Sequence, residues 1–391
     1  MKRLAIFQAT LSGWSVFFSA LCRFSVSASL MLSGCNPAEQ NNEQSLLQGQ
    51  QDRSFAAVQI ADGRFKVWFT AETMGSTYNI TYLANSDRKL QPLVDSFLLE
   101  FNACLSTYDS SSMLSQWNRS TTGISSSGNC SVWFGDLVRV SQAVHRQSQS
   151  AFDPTVLPLL RYWGFFREDP FAGERQPDTA QIRNLLKHVG LDEQVILSQA
   201  STEGAALAGQ AVAKRHPSVE LDFNAIAPGY AADQIATILQ GQGIEDYLVE
   251  VGGEVYAAGY NDRGKPWTLA IEKPVENGRE AQILVGVSNA GLATSGNYRK
   301  FWERDGVRYS HTLNPKTGYP ERSNLLSVSV LAPTAAEADA YATACMVLGL
   351  DRGMRLLEQL PEIEGYFIYL DAANIMTAAQ TIGFSQRAAI P

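Results

Sequence analysis

The chain has 391 residues and a formal net charge of −8, with no basic run of useful length, which excludes nucleic acid as a natural partner. Hydrophobic residues make up 45% of it and aromatics 10%, enough for a sizeable globular core. Histidine is scarce, with four in all, so each one placed near a loop is a candidate for chemistry.

In chain order, Lys2 and Arg3 open the sequence, small and apolar residues follow, and "LMLSGC" ends at Cys35. This resembles the bacterial lipoprotein processing site, at which the preceding peptide is removed and the cysteine is lipidated. An ordinary secretory signal has similar small residues, and Arg23 interrupts the apolar run too early for a transmembrane span. The expected organisation is a signal peptide over 1–34, a tether over 35–54 attached through lipid at Cys35, and one catalytic-size domain over 55–391. The tether is the Gln/Asn-rich "NPAEQNNEQSLLQGQQDRS", too polar to bury itself. The implied location is the periplasmic side of the bacterial inner membrane, with the membrane as a partner through the anchor.

"GRFKVWFTAETMGSTYNITYLA" alternates in period two on both sides of Gly75 and reads as two strands or one bent strand. A helix is expected over Leu90–Leu105. Strand character returns in "SVELDFNAIA", "DYLVEVGGEVYAAG", "WTLAIEKP", "QILVGVSNAGLATSG", "RYSHTL" and "NLLSVSVLAP". Helices fit "PGYAADQIATILQGQG", "TAAEADAYATACMVLG" and "GMRLLEQL". Strands come in blocks without regular βαβ alternation, so the fold class is α+β: a mixed sheet in a single catalytic domain that could be two-lobed. There is no GxGxxG opening a helix, no GxxxxGK[ST], no HExxH and no GxSxG. Cys104, Cys130 and Cys345 form no CxxC pair; a Cys104–Cys130 bridge stays open, and Cys345 reads as packing.

Four stretches could carry chemistry. In the alanine-rich helix, Thr334 and Glu337 form a capping box, so Asp339 is not needed as a cap, and Thr343 lies one turn above it on the same face. An Asp and a Thr oxygen on a small-residue face suit a hard cation such as Mg²⁺, or simply a buried helix with Asp339 bonded to a loop. In "LDFNAIAPGYAAD", Asp222 closes a strand and Pro228 opens a helix whose N-terminus would suit a phosphate, unless Asp222 satisfies the turn's own amides. "AFDPTVLPLLRYWGF" and "STYDSSSMLSQWN" offer Trp163, Phe165 and Tyr108, which could sandwich a planar ligand or serve as core and surface.

Taken in order, "MGSTY", "STYDSSSMLSQWN", "FDPTVLPLLRYWGF", "LDFNAIAPGYAAD", "LVEVGGEV", "ATSGNYR", "SHTLNPKTGYP" and "EADAYATACMVLG" resemble the successive motifs of the ApbE-type FAD:protein FMN transferases. The resemblance runs from about Phe65 to Phe384. It implies FAD as substrate, Mg²⁺ as cofactor, and transfer of FMN to a threonine of an acceptor protein with release of AMP. Carried over, Met74, Tyr108, Ala151, Phe152, Asp153, Asp222 and Leu313 would line the FAD site. Asp339, Thr343 and the carbonyl of Ala225 would hold the magnesium, and His311 would be the general base. Two positions depart from the family pattern: Asn314 replaces the usual Asp, and Pro228 a usual Lys or other polar residue. An FAD pyrophosphatase and a non-catalytic flavin-binding lipoprotein are the alternatives.

Overall fold

Residues Phe65–Ala84 fold into a hairpin because both arms alternate apolar and polar side chains around a two-residue loop. Met74 and Gly75 both have positive φ, 51° and 68°, the left-handed pair that a tight hairpin turn of the right twist requires. The computed structural model describes residues 55–124, 128–165, 177–198, 211–275, 280–297, 301–304, 307–310 and 312–387, with backbone alone for 301–304, 307–310 and 387. All of them belong to the unit Asp52–Pro391. Cys35, the signal, the tether and His311 lie outside the described residues.

The chain opens with β1 (Phe55–Gln59), β2 (Phe65–Thr73) and β3 (Ser76–Ala84), followed by α1 (Gln91–Leu105), α2 (Met113–Arg119), β4 (Gly123–Ile124) and α3 (Gly128–Gln147). Next come α4 (Leu157–Tyr162), α5 (Thr179–Leu186), α6 (Leu191–Gln194), β5 (Val195–Ser198) and β6 (Ala211–Lys214). Then follow α7 (Ala227–Gly241), β7 (Asp246–Val251), β8 (Glu254–Ala258), β9 (Trp267–Glu272), β10 (Ala281–Val287) and β11 (Ala290–Gly296). The remainder is β12 (Phe301–Arg304), β13 (Val307–Ser310), β14 (Leu325–Ala332), α8 (Ala335–Leu348), α9 (Leu350–Glu358), β15 (Glu364–Leu370), β16 (Met376–Gln380) and α10 (Phe384–Arg387).

Nine strands make the central sheet in the order β1-β2-β3-β7-β8-β11-β14-β15-β16. Every pairing in it is antiparallel. One face packs on α7 and α8 through Val249, Val251, Val328, Val330 and Phe367. The other carries Leu292, Leu331, Tyr366 and Ile368 against Trp267 and Val285 of the β9–β10 hairpin. β14 is therefore buried on both faces and shows no alternation. The α+β expectation holds.

The expected strand "SVELDFNAIA" does not form. Residues 218–226 run without strand pairing, because side chains supply what a ladder would: Asn118 accepts from the Leu221 N–H at 2.8 Å and donates to its carbonyl at 2.9 Å. The Asp222 N–H goes to the Pro154 carbonyl at 2.8 Å. Asp222 thus closes a pinned loop rather than a strand.

The bridge left open by the sequence is present: Cys104 and Cys130 are disulfide-bonded with Cα atoms 5.6 Å apart, joining the end of α1 to the start of α3. Cys345 is a buried free thiol, held far above its ordinary pKa by burial. It serves as packing.

Candidate active site

The register of the sheet gathers three chain ends on one edge. The Met74–Gly75 turn and the Gly252–Gly253 turn point the same way, because Tyr78 pairs with Val251, and β11 finishes beside them. The N-terminus of α7 and the middle of α8 pack near that edge, which places polar side chains over the hairpin tips.

The two helices approach unusually closely. A Cβ on Gly229 would stand 2.3 Å from the Ala335 carbonyl oxygen, and one on Gly291 of β11 would stand 2.4 Å from the Ala335 nitrogen. Only glycine permits either contact. At this crossing the helices exchange carboxylates. Asp233 of α7 accepts from the N–H groups of Ala335 and Ala336 at 2.8 and 2.9 Å, closing the start of α8. Asp339 of α8 reaches back and accepts from the Gly229 N–H in the first turn of α7 at 3.4 Å. The capping box is also formed, Thr334 Oγ1 accepting from Glu337 N at 3.1 Å.

Asp339 is buried, and burial pushes its pKa up to about 7, with the Asp233 carboxylate adding to the rise. Thr343, one turn on, faces the same way and lies 3.2 Å from Ser295 Oγ of β11. Among the described residues no backbone N–H bonds the Ala225 carbonyl, since the Gly229 N–H that could reach it is turned to Asp339. A carboxylate with one long hydrogen bond and a hydroxyl one turn away are oxygen donors of the kind Mg²⁺ takes, and the Ala225 carbonyl would be a third. The set is mixed, and among the described residues no three His, Cys, Asp or Glu side chains gather to hold a metal.

A phosphate seat on the α7 amides, expected from sequence, is not available. The Ala227 N–H bonds Phe223 O at 2.7 Å, Pro228 has none, and the Gly229 N–H is taken by Asp339. The positive end of α7 faces a carboxylate instead.

The expected flavin-lining residues divide into two groups. Tyr108 is 76% exposed, on a loop tied to the Asp222 turn by Asn224 Nδ2 donating to Thr107 Oγ1 at 3.3 Å. Surrounding protein, and then the Asp222 carboxylate, raise its phenol above the ordinary value. Asp222 itself is pushed up to about 6 by burial, against the lowering effect of the Asn224 N–H it accepts at 2.8 Å. Met74 is half-buried against the main core at its hairpin tip. Tyr108 and Met74 keep surface that can face a ligand, whereas Asp222 is buried beneath its own turn.

The other four are engaged inside the protein. Ala151 and Phe152 are buried, and the Phe152 carbonyl lies 2.9 Å from His145 Nδ1. The Asp153 carboxylate accepts from Thr155 N at 2.9 Å, Thr155 Oγ1 at 2.5 Å and Leu191 N at 3.2 Å, with His145 Nδ1 at 3.4 Å. Burial raises its pKa, and His145 is the leading opposing influence. Leu313 packs with Leu159, Trp163 and Ile182, and Trp163 Nε1 donates to the Gly318 carbonyl at 2.8 Å. Trp163 is therefore core, not half of a ring sandwich.

His311 lies outside the described residues, and the chain that follows it is anchored near the end of β11. Its neighbour Thr312 donates to Asn297 Oδ1 at 2.9 Å, immediately after β11. Asn314 builds the following turn by accepting from Lys316 N at 2.9 Å, and its Nδ2 donates to Glu321 Oε2 at 3.0 Å.

Sequence reasoning missed Asp233, Ser295 and Glu254. Glu254 follows the Gly252–Gly253 turn, and the signal for it was an acid directly after a tight hairpin tip. Burial and then the Asp339 carboxylate hold Glu254 well above the ordinary carboxylate range.

Two hairpin tips at one end of an antiparallel sheet, with oxygen donors on the crossed helices beside them, make the candidate site. The ApbE family profile matches residues 74–367, and the chain belongs to that family. The FAD:protein FMN transferase of Vibrio cholerae is 38% identical over 306 residues, 76% of this chain and 86% of that one. Among solved structures, the flavin transferase ApbE of Vibrio cholerae superposes with TM-score 0.69 at 32% identity, covering 83% of this chain and 99% of that one. The apo flavinyl transferase ApbE of Pseudomonas stutzeri gives TM-score 0.70 at 34% identity, covering 83% and 97%.

Proposed function

We propose that this chain, a transferase of the ApbE family, moves the FMN half of FAD to a threonine hydroxyl of an acceptor protein in a Mg²⁺-dependent reaction. The threonine oxygen bonds to the FMN phosphorus, the bond to the bridging oxygen breaks, and AMP leaves with that oxygen. The observation that carries the reading is the buried Asp339 carboxylate, held by one long hydrogen bond and one turn from Thr343.

Mg²⁺ held by Asp339, Thr343 and Ala225 would neutralise charge on the diphosphate oxygens. The chain's own residues do the rest. Tyr108 and Asp222 are the residues assigned to the flavin half, and the pinned 218–226 segment runs from Asp222 to Ala225, assigned to the metal half. A threonine hydroxyl is a weak nucleophile at neutral pH, so a base is required, and His311 is the residue assigned to take its proton. Asn297 and Asn314 hold the chain that follows that residue.

For location, we propose a lipid anchor at Cys35 on the periplasmic face of the inner membrane. The Cys104–Cys130 bridge supports an oxidising compartment.

The test is incubation of purified protein with FAD, Mg²⁺ and a threonine-bearing acceptor. A fluorescent acceptor band on a denaturing gel is the expected result. Free FMN with an unlabelled acceptor would mean a hydrolase, and intact FAD a binder. Asp339→Ala is expected to abolish labelling.

A further inference from the structure

Glu250 and Glu254 flank the tip of the β7–β8 hairpin, and Asp339 stands on α8 against the first turn of α7. Glu250 accepts from the Gly253 N–H at 2.7 Å and from Asn79. Asp339 accepts from Gly229. Glu254 is different: among the described residues no N–H or O–H of another residue bonds its carboxylate, and no Lys or Arg pairs with it. It is nevertheless half-buried and folded inward. Its Oε2 lies 3.2 Å from where a Gly252 Cβ would stand, and the Pro228 ring lies 3.7 Å from the same point. Pro228 precedes Gly229, whose N–H is the one held by Asp339. The Glu254 carboxyl group is thereby turned back over the hairpin toward the first turn of α7 and the Asp339 carboxylate.

Nothing about packing requires an acid here. Turned outward, Glu254 could reach water; turned inward, it meets a second carboxylate with no Lys or Arg paired to either one among the described residues. Two neighbouring carboxylates repel, and either a proton taken up by one of them or a cation held by both relieves the repulsion. Pro228 contributes no polar atom on this side, so Glu254 is the group best placed to complete the oxygen set.

We propose that Glu254 is a further carboxylate for the divalent cation, gripping it from the hairpin side opposite Asp339, directly or through a water. The inference rests on the metal reading above and extends it to a residue from a different element. It makes the hairpin tip part of the cation site, so that binding would clamp β8 to α8.

The experiment titrates the purified FAD-free protein with Mn²⁺ alone, followed by electron paramagnetic resonance, and compares Glu254→Gln and Asp339→Asn with the parent. Glu254→Gln is expected to weaken Mn²⁺ binding about tenfold. In chelator its thermal midpoint should equal or exceed the parent's, because a repulsion is removed and the side chain keeps its shape. Glu254→Asp should fall between the two in Mn²⁺ affinity. Parent-like Mn²⁺ affinity in Glu254→Gln, with loss in Asp339→Asn, would overturn the role of Glu254 and leave the metal site standing. Parent-like affinity in both variants would overturn the metal reading and the inference together. A Glu254→Gln midpoint in chelator well below the parent's would also overturn it, by showing that the carboxylate serves the fold.

Discussion

Asp222 sits where burial and hydrogen bonding act in opposite directions, and burial wins. Its pKa is pushed up to about 6 from an ordinary 3.8, so between those values the folded protein holds a proton that the unfolded chain has released. The stability this group contributes is complete below pH 3.8 and is lost as pH rises through 6. The loss is on the order of 2–3 kcal/mol. Asp222→Asn should flatten the decline in thermal midpoint from pH 4 to pH 7, as measured by circular dichroism; an unchanged slope would refute the assignment. Asn314 offers a second residue-scale test. An Asp there would set a carboxylate at the 3.0 Å contact now made to Glu321, so Asn314→Asp should cost about 1 kcal/mol in urea denaturation. Glu321→Gln in the same chain should restore most of it. The departure from the family's Asp is matched by a neighbour, and the turn survives with its Asx bond intact.

At the scale of elements, the α7–α8 crossing is the most demanding feature. Gly229→Ala would put a methyl group 2.3 Å from a carbonyl oxygen that belongs to backbone and cannot swing aside. The expected loss is about 2–3 kcal/mol in denaturant midpoint, with weaker Mn²⁺ binding because Asp339 moves with α8. The capping box at Thr334 and the α8 start at Ala335 were readable from sequence, because N-caps leave a local signature. So were the two arms around Gly75. The segment 218–226 was misread, since an extended chain satisfied by Asn118 has the same residue pattern as a strand. Helix α3 was not foreseen. Its inward face includes Ser131, Gly135 and Ser141 among Phe134, Leu137 and Val138, and small polar residues hide the apolar period. Strand β15 was hidden for the opposite reason: it is buried on both faces over Gly365–Ile368, so no alternation marks it. Of the site, the Asp339–Thr343 spacing was legible because it is local. The placement of Glu254 and Asp233 was not, because it depends on helix crossing and sheet register.

For the whole molecule, the Cys104–Cys130 bridge closes a loop between residues 26 apart in sequence. Replacing both with serine should lower stability by roughly 3–4 kcal/mol, and a reductant should reproduce the drop in thermal midpoint for the parent but not for the variant. Sequence alone left that pairing open, since three cysteines admit several. The nine-stranded order was beyond reach as well: β7 lies beside β3 although α1–α7 and the small β4–β6–β5 sheet intervene in the chain. Long-range pairing of this kind leaves no local trace.

The exchange of carboxylates between α7 and α8 has a mechanical corollary. Each helix holds the other's leading turn, so neither can slide or rotate alone without breaking two backbone grips. The pair behaves as one stiff unit that keeps a fixed span between the Gly229 turn and the Thr343 hydroxyl.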